Sequence, residues 1–396
     1  LTIDQAVGEA LEKNIGLLAE RYNIPISEAH LVTARLRPNP VLSVEGDHLD
    51  LLGTGYDDIN KAGPPEFSVR TDFVFERGGK RKNRIEVAEN AKSVAQLQLL
   101  NTIRSLVLDV QSAFVDMQLA RDSLALAQEN LKALNEIVAV NAARVRAGDL
   151  ADVELIRTRV AALQFQNAVR QAELRLYTAR GHLELLLGRA SLSETLEVSG
   201  SLRRDTQTLS LDDLGKLAFD HRPDLLAQKR DQARSVAELR LQVAQGKVDY
   251  TLGTEYRRQQ GLAGTGNSLG FFFSAPLPVF NRNQGEIERA RLEQRQIETR
   301  SRSLEASIMN EVKTAYKQYS TADALLETIE KEMLAQAREV RQITEYSYKR
   351  GEATLIEFLD AQRAFNETMQ GYNEARAEYA RALYLIDSVS GKAVNP

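Results

Sequence analysis

The feature that most constrains this chain is that it is written twice. LTID (1–4) matches LSLD (209–212), and the same offset of 208 aligns Leu17-Leu18-Ala19 with Leu225-Leu226-Ala227. IEVA (85–88) matches IERA (287–290) and VQSAF (110–114) matches VKTAY (312–316), both at an offset of 202. RAGDLADVEL (146–155) matches KRGEATLIEF (349–358), and LG (187–188) matches SG (390–391), at an offset of 203. Self-similarity at a nearly fixed offset means that one supersecondary unit serves twice. The one large drift, from 208 to 202, follows the first helix, where a hairpin loop tolerates insertion, and a change of one residue follows later. The chain therefore divides into a first unit over 1–208 and a second over 209–396.

Each unit reads as helix, strand, loop, strand, long helix, turn, helix. The opening helices are expected over about 3–36 and 211–246, started by Asp4 and Asp212, the first interrupted near Pro25. Hairpins follow over about 41–75 and 248–275. In EFSVRTDFVF, Phe67, Val69, Thr71, Phe73 and Phe75 share one face, while Ser68, Arg70 and Asp72 share the other. Tyr250, Leu252, Thr254 and Tyr256 oppose Asp249, Thr251, Glu255 and Arg257 in the same manner. This period of two is the signature of a strand with one apolar face. Two environments satisfy it: a half-buried sheet in water, or a barrel wall with lipid outside and water within.

The long helices are expected over about 80–146 and 284–350, each ~100 Å at 1.5 Å per residue. Ile103, Val110, Met117, Leu124, Leu131 and Val138 recur every seven residues, with Ala113, Ala120 and Ala127 beside them. Val312, Tyr319, Leu326, Met333 and Val340 repeat the spacing. A strict seven-residue repeat predicts left-handed coiled-coil packing against neighbouring helices. Shorter helices are expected over about 149–187 and 352–391, with a linker over 189–208. Four strands cannot close a barrel, and a dimer's eight would enclose only side chains, whereas a cyclic trimer supplies twelve strands around a channel.

Composition closes most other routes. The chain has no cysteine, and its four histidines, His30, His48, His182 and His221, stand apart, so neither a thiolate chemistry nor a metal site is expected. A net charge of -4 without a basic tract gives no general attraction for nucleic acid. ERGGKRK (76–82) lacks the spacing of a phosphate-binding loop, and no nucleophile, base and acid stand together, so neither cofactor nor catalysis is expected. No run of eighteen apolar residues suggests a membrane helix, and LTIDQAV reads as a mature N-terminus from which an export signal has been removed.

ERGGKRKNRIEVAE (76–89), PLPVFNRNQGEIERAR (276–291), SYKRGEATLIEFLDAQR (347–363), the doubled unit and the alternating hairpins together resemble the TolC-type outer-membrane efflux proteins. The NP of RLRPNPVLSVEG (35–46), GGKR and PLPVFNRNQG are similar to the CzcC-like branch, associated with heavy-metal cation efflux. The resemblance implies a mainly α fold with a membrane β-barrel: a homotrimer of four strands per chain, its 12-stranded barrel continuous with a helical coiled-coil tunnel. It implies a passive exit duct in the bacterial outer membrane, most of the chain lying in the periplasm, working with a periplasmic adaptor and a proton-driven inner-membrane pump. The segment 189–208 and the C-terminal tail would form an equatorial region. Gly78, Gly79, Pro276 and Pro278 would mark the passage from barrel to tunnel.

The same resemblance assigns the turns at Gly148 and Gly351 to the periplasmic tip. Glu357 and Asp360 match the family's acidic constriction, and Tyr348 matches a tyrosine in its closing network. Glu154 and Arg157 are their counterparts in the first unit. Arg146, Arg157 and Arg350 are expected to pair with Glu357 or Asp360 across helices, while Ala353 stands where the family has a closing arginine. Gly148, Asp149, Leu150, Gly351, Glu352 and Thr354 are the expected adaptor contacts. Export of drugs or other small molecules, and a channel-free periplasmic coiled-coil adaptor, are the alternatives.

Overall fold

The computed structural model describes residues 1–49, 51–53, 65–190, 196–205, 210–261 and 264–392. In order, the elements are α1 (Ile3–Lys13), α2 (Ile15–Arg21), α3 (Asn23–Arg35), β1 (Val41–Asp47), β2 (Glu66–Phe75), α4 (Lys80–Ala147), α5 (Asp152–Leu186), α6 (Leu211–His221), α7 (Pro223–Gln245), β3 (Tyr250–Gly261), β4 (Gly264–Ser274), α8 (Gln284–Thr328), a π-helical turn (Ile329–Met333), α9 (Leu334–Arg350) and α10 (Leu355–Val389). The chain forms two compact units. One comprises 1–22, 97–226 and 304–396, and the other 23–96 and 227–303.

The second of these carries the sheet, four antiparallel strands in the order β1-β2-β3-β4. Its register aligns apolar residues with apolar ones: Val44 opposite Val69, Phe73 opposite Leu252, Leu252 opposite Phe273, Tyr256 opposite Leu269. Because a strand alternates faces, this register gathers most of the aliphatic and aromatic side chains on one side and Glu45, Arg70, Asp72, Glu255 and Arg257, with Val41, Val74 and Phe272, on the other. The apolar side is uncovered; Phe271 is 85% exposed. The charged side is satisfied internally. Arg257 reaches Glu255 at 2.9 Å and Glu66 at 3.3 Å, Arg70 holds Asp72 at 2.8 Å, and the Arg70 guanidinium lies 4.2 Å from the centroid of Phe272. The loop of the first hairpin falls largely outside the described residues.

Where strand gives way to helix, Gly78 and Gly79 take φ values of 75° and 76° before α4. A Cβ on Gly78 would lie 2.6 Å from Cδ of the flexible Lys247 side chain, which can give way, so it is the left-handed dihedral that requires glycine there. Asp249 receives the Arg77 backbone N–H at 2.9 Å and the Lys80 ammonium at 2.7 Å, pinning the bend. On the other strand-to-helix passage Asn283 adopts φ 62° and donates to the Gln242 carbonyl at 2.8 Å. Pro276 and Pro278 lie between Ser274, the last residue of β4, and this bend, as expected of residues that cannot continue a ladder.

The other unit is helical. Ala6, Ala10 and Leu17 pack on Val110, Phe114, Met117, Leu183 and Leu187, with Leu196 and Val198 of the linker over them. Leu214, Ala218 and Leu225 pack in parallel fashion on Ile308, Val312, Ala315, Ile386 and Val389. Both clusters centre on a helix break. Asn14 (φ -60°, ψ 119°) separates α1 from α2, and Arg222 (φ -67°, ψ 121°) separates α6 from α7. A glycine following a helix C-terminus abuts each: a Cβ on Gly188 would fall 2.2 Å from the Lys13 carbonyl oxygen, and one on Gly391 2.9 Å from the His221 carbonyl carbon.

Three sequence expectations are corrected. The first opening helix breaks at Tyr22, three residues before Pro25 and so in the expected region, and a second time at Asn14, which was not expected; Pro25 itself sits in the first turn of α3, where a helix has no use for that N–H. The second opening helix breaks at Arg222, ahead of Pro223 in its favoured first position. The second long helix is interrupted by the π-turn, where the Leu334 N–H bonds the Ile329 carbonyl. That extra residue rotates the following side chains. Ile329 and Leu334 turn inward, while Met333 and Val340 of the heptad stripe are 45% and 52% exposed.

Candidate functional site

The helical turns at Gly148 and Gly351 end their helices identically. Gly148 has φ 83° and Gly351 φ 84°. The Asp149 N–H bonds the Arg144 carbonyl and the Glu352 N–H the Ser347 carbonyl, each at 2.9 Å, with the glycine N–H bonding three residues back. This is the left-handed cap that only glycine adopts without strain. Thr354 then opens α10 through a capping box: its hydroxyl accepts the Glu357 N–H, and the Glu357 carboxylate accepts the Thr354 N–H at 2.7 Å. The Thr354 hydroxyl also donates to that carboxylate at 2.9 Å, and the two donors, the backbone N–H first and the hydroxyl second, hold the Glu357 carboxyl below its ordinary range.

Beneath the turns, Leu134 and Ile137 of α4, Ala161 of α5, Tyr348 of α9, and Leu355 and Phe358 of α10 form one buried cluster. Tyr348 stacks on Phe358 with centroids 5.4 Å apart. Its hydroxyl is not left in hydrocarbon. The Asn141 amide donates to it at 2.7 Å and to the Thr158 hydroxyl at 2.8 Å, and Thr158 donates to the Glu154 carbonyl at 2.7 Å. Burial pushes the Tyr348 phenol upward, partly offset by Asn141, so it stays protonated. One step further along, the Gln362 amide donates to Asn130 at 2.9 Å and Asn130 donates to Asn366 at 2.7 Å.

Of the residues expected here, the structure brings Tyr348 into the core and leaves Glu357 and Asp360 exposed on one side of α10. Arg157 bridges Glu154 on its own helix at 2.8 Å, Asp360 faces Arg363 at 3.7 Å, and Arg350 lies over Tyr346 at 4.6 Å. Within one chain Arg157 and Arg350 thus have partners other than Glu357 and Asp360. Gly148, Asp149, Gly351, Glu352 and Thr354 are exposed and Leu150 is half-buried. Among the described residues no three His, Asp or Glu side chains gather as a metal site, and no helix is long and apolar enough to cross a membrane.

Sequence reasoning passed over Asn130, Asn141, Thr158 and Gln362, which read as surface polar residues. Asn141 carried a signal all the same, since it continues the seven-residue series Ala113, Ala120, Ala127, Leu134. A polar side chain on a packed stripe is a buried one.

The family model for outer membrane efflux proteins matches residues 6–189 and 214–392. The chain belongs to that family. Among outer membrane efflux proteins, the cobalt-zinc-cadmium resistance protein CzcC of Cupriavidus metallidurans is 23% identical over 99% of this chain and 90% of its own length. Nodulation protein T of Rhizobium leguminosarum bv. trifolii is 22% identical over 98% of this chain and 85% of its own. The structure of CusC superposes with a TM-score of 0.81 at 19% identity, covering 98% of this chain and 92% of that one. OprN gives 0.81 at 17% identity, covering 100% and 91%. The TolC-type resemblance is thereby confirmed, and a mainly helical chain with a four-stranded antiparallel sheet is the fold these outer membrane efflux proteins share.

Proposed function

We propose that this chain is the outer-membrane exit duct of a tripartite efflux system, a homotrimer whose twelve strands close a barrel and whose helices continue it as a periplasmic tunnel. The observation that carries the reading is the sheet: one side is uncovered and apolar, the other charged, and the outer edges of β1 and β4 pair with no further strand among the described residues. Open edges and a greasy face are untenable in water, while pairing β4 with β1 of the next copy removes both edges and gives the apolar face to lipid. Leu277 and Phe280, the latter 91% exposed, extend that apolar surface toward the helices.

Val153, Ile156, Val160 and Leu163 support the trimer. They form an exposed stripe at spacings of 3, 4 and 3 along α5, a coiled-coil seam that none of the described residues covers. The matched breaks at Asn14 and Arg222, 208 residues apart, and the matched glycines Gly188 and Gly391 support division into two repeat units, 1–208 and 209–396. The barrel then meets the tunnel at Gly78, Gly79, Pro276 and Pro278.

The tip at Gly148 and Gly351 is the gate. Glu357 and Asp360, exposed together on α10, give two rings of three carboxylates in the trimer, with Tyr348, Glu154, Arg157 and Arg350 around them. The exposed turn residues Gly148, Asp149, Gly351, Glu352 and Thr354, with the half-buried Leu150, receive a periplasmic adaptor, which couples the duct to a proton-driven pump. Similarity to a cobalt-zinc-cadmium resistance protein favours heavy-metal cations as cargo. A strain lacking this chain is expected to become sensitive to zinc, cobalt or cadmium and to be restored by it. Unchanged metal tolerance with new sensitivity to organic toxicants would replace the cargo by small molecules, and unchanged tolerance to both would overturn the reading.

A further inference from the structure

The gate reading rests on exposed charges, but the bonds that hold the tip together within a chain are of another kind. Across residues 126–170 and 334–370, the described hydrogen bonds joining α4 and α5 to α9 and α10 are those of Asn141 with Tyr348 and of Asn130 with Gln362 and Asn366. All are between uncharged groups. The sole ion pair crossing there among the described residues is Arg341 with Glu129 at 3.7 Å. Arg341 spends its guanidinium mainly over the Phe365 ring, 4.2 Å from the centroid.

Asn130 is the unusual member. It is 1% exposed, Gln362 is 2% exposed, and the two lie between long helices where leucine would pack without any polar obligation. Asn130 uses both ends of its amide on the opposing helix, its oxygen accepting from Gln362 and its nitrogen donating to Asn366 four residues on. Sliding α10 against α4, or parting them, strips these groups of partners in a place where water does not replace them. A buried amide of this sort contributes little net stability compared with an apolar residue, yet admits one register only. A tip that opens must separate α9 and α10 from α4 and α5, and Asn130 therefore stands where that movement begins.

We propose that the Asn130–Gln362–Asn366 layer is an uncharged lock that fixes the register of α10 against α4 and holds the tip shut, with Asn130 as its positioning residue. The proposal rests on the gate reading above, and it differs from a charge-based closure in being indifferent to salt. Glu129, Arg341, Asp360 and Arg363 are the charged side chains beside the layer, and none hydrogen-bonds to it.

The test makes the lock titratable. In Asn130→Asp the protonated acid reproduces both hydrogen bonds, whereas the carboxylate loses its donor to Asn366 and places a charge in a buried layer, which raises its pKa toward neutrality. Mean single-channel conductance of the purified variant in planar bilayers is expected to rise about threefold or more between about pH 5 and pH 8, reversibly, while the wild type changes far less. Gln362→Glu is expected to do the same and serves where Asn130→Asp does not assemble. A variant that forms trimers with a lowered melting temperature but keeps the wild-type pH dependence would overturn the lock and leave a merely structural layer. A wild type that forms no channels would overturn the duct reading instead, so the two failures are distinct.

Discussion

Tyr348 and Asn141 are 207 residues apart in the chain, yet Asn141 donates to the tyrosine hydroxyl at 2.7 Å and accepts from it at 3.0 Å. Both side chains are buried, so neither has water as an alternative. Tyr348→Phe preserves the stack on Phe358 and removes only the hydroxyl, leaving part of the Asn141 amide unpaired. A loss of about 1–3 kcal/mol is expected, the range for a buried group deprived of its partner. It should be read as a lower melting temperature of the assembled protein and faster amide exchange in the last turn of α9. An unchanged melting temperature would mean that the Asn141 amide finds another acceptor.

The two break-facing glycines predict an order of severity. Gly188→Ala brings a Cβ to 2.2 Å from the Lys13 carbonyl oxygen, and Gly391→Ala brings one to 2.9 Å from the His221 carbonyl carbon. Gly148→Ala meets nothing within 4 Å and suffers only its φ of 83°. That last change is expected to cost about 1–2 kcal/mol. Denaturant midpoints should fall in the order Gly148→Ala, Gly391→Ala, Gly188→Ala, the last lowest.

Acid should loosen the start of α10. The Thr354 N–H and hydroxyl depress the Glu357 carboxyl below its ordinary value of 4.5, so the cap is complete above that value and is lost as pH falls through the depressed one. Amide exchange at Thr354, corrected for its intrinsic pH dependence, is expected to accelerate across that acid window. Glu357→Gln retains an acceptor without titrating and should abolish the acceleration.

The faces of the sheet are separable by one charge each. Phe271→Arg places a cation on the apolar side, at a cost of about 2–4 kcal/mol if that side meets the middle of a bilayer. Ser268→Arg places one on the opposite side, among Arg257, Glu255 and Glu66. Outer-membrane fractionation should recover the second variant and not the first. Equal recovery would contradict a lipid-facing Phe271.

Much of this was legible in the sequence because the signals were short-range. The alternation of Phe67 to Phe75 fixed β2 and its faces, and Gly78, Gly148 and Gly351 stand at the turns where a left-handed dihedral is needed. What was illegible depended on partners distant in the chain. Asn14 breaks a helix because its side chain caps α2 through the Leu17 N–H and also donates to the Leu186 carbonyl, 172 residues away. Pro25, the louder local signal, is harmless in a first turn. The π-turn left no mark on the spacing of Leu326, Met333 and Val340, since the heptad continues in sequence while the backbone departs from it. Around Gly148 and Gly351 the residue types suggested ion pairs, whereas the hydrogen bonds joining α4 to α9 and α10 run through amides and a phenol, whose roles appear only when those helices lie together.

A duct closed at the helical turns conducts ions across a planar bilayer, and its conductance reports the width of the constriction. Purified wild-type protein is expected to insert as small, discrete channels, and the double variant Glu357→Ala with Asp360→Ala as channels of clearly larger conductance. Absence of channels would contradict the duct, and equal conductance of the two proteins would contradict a constriction made by Glu357 and Asp360.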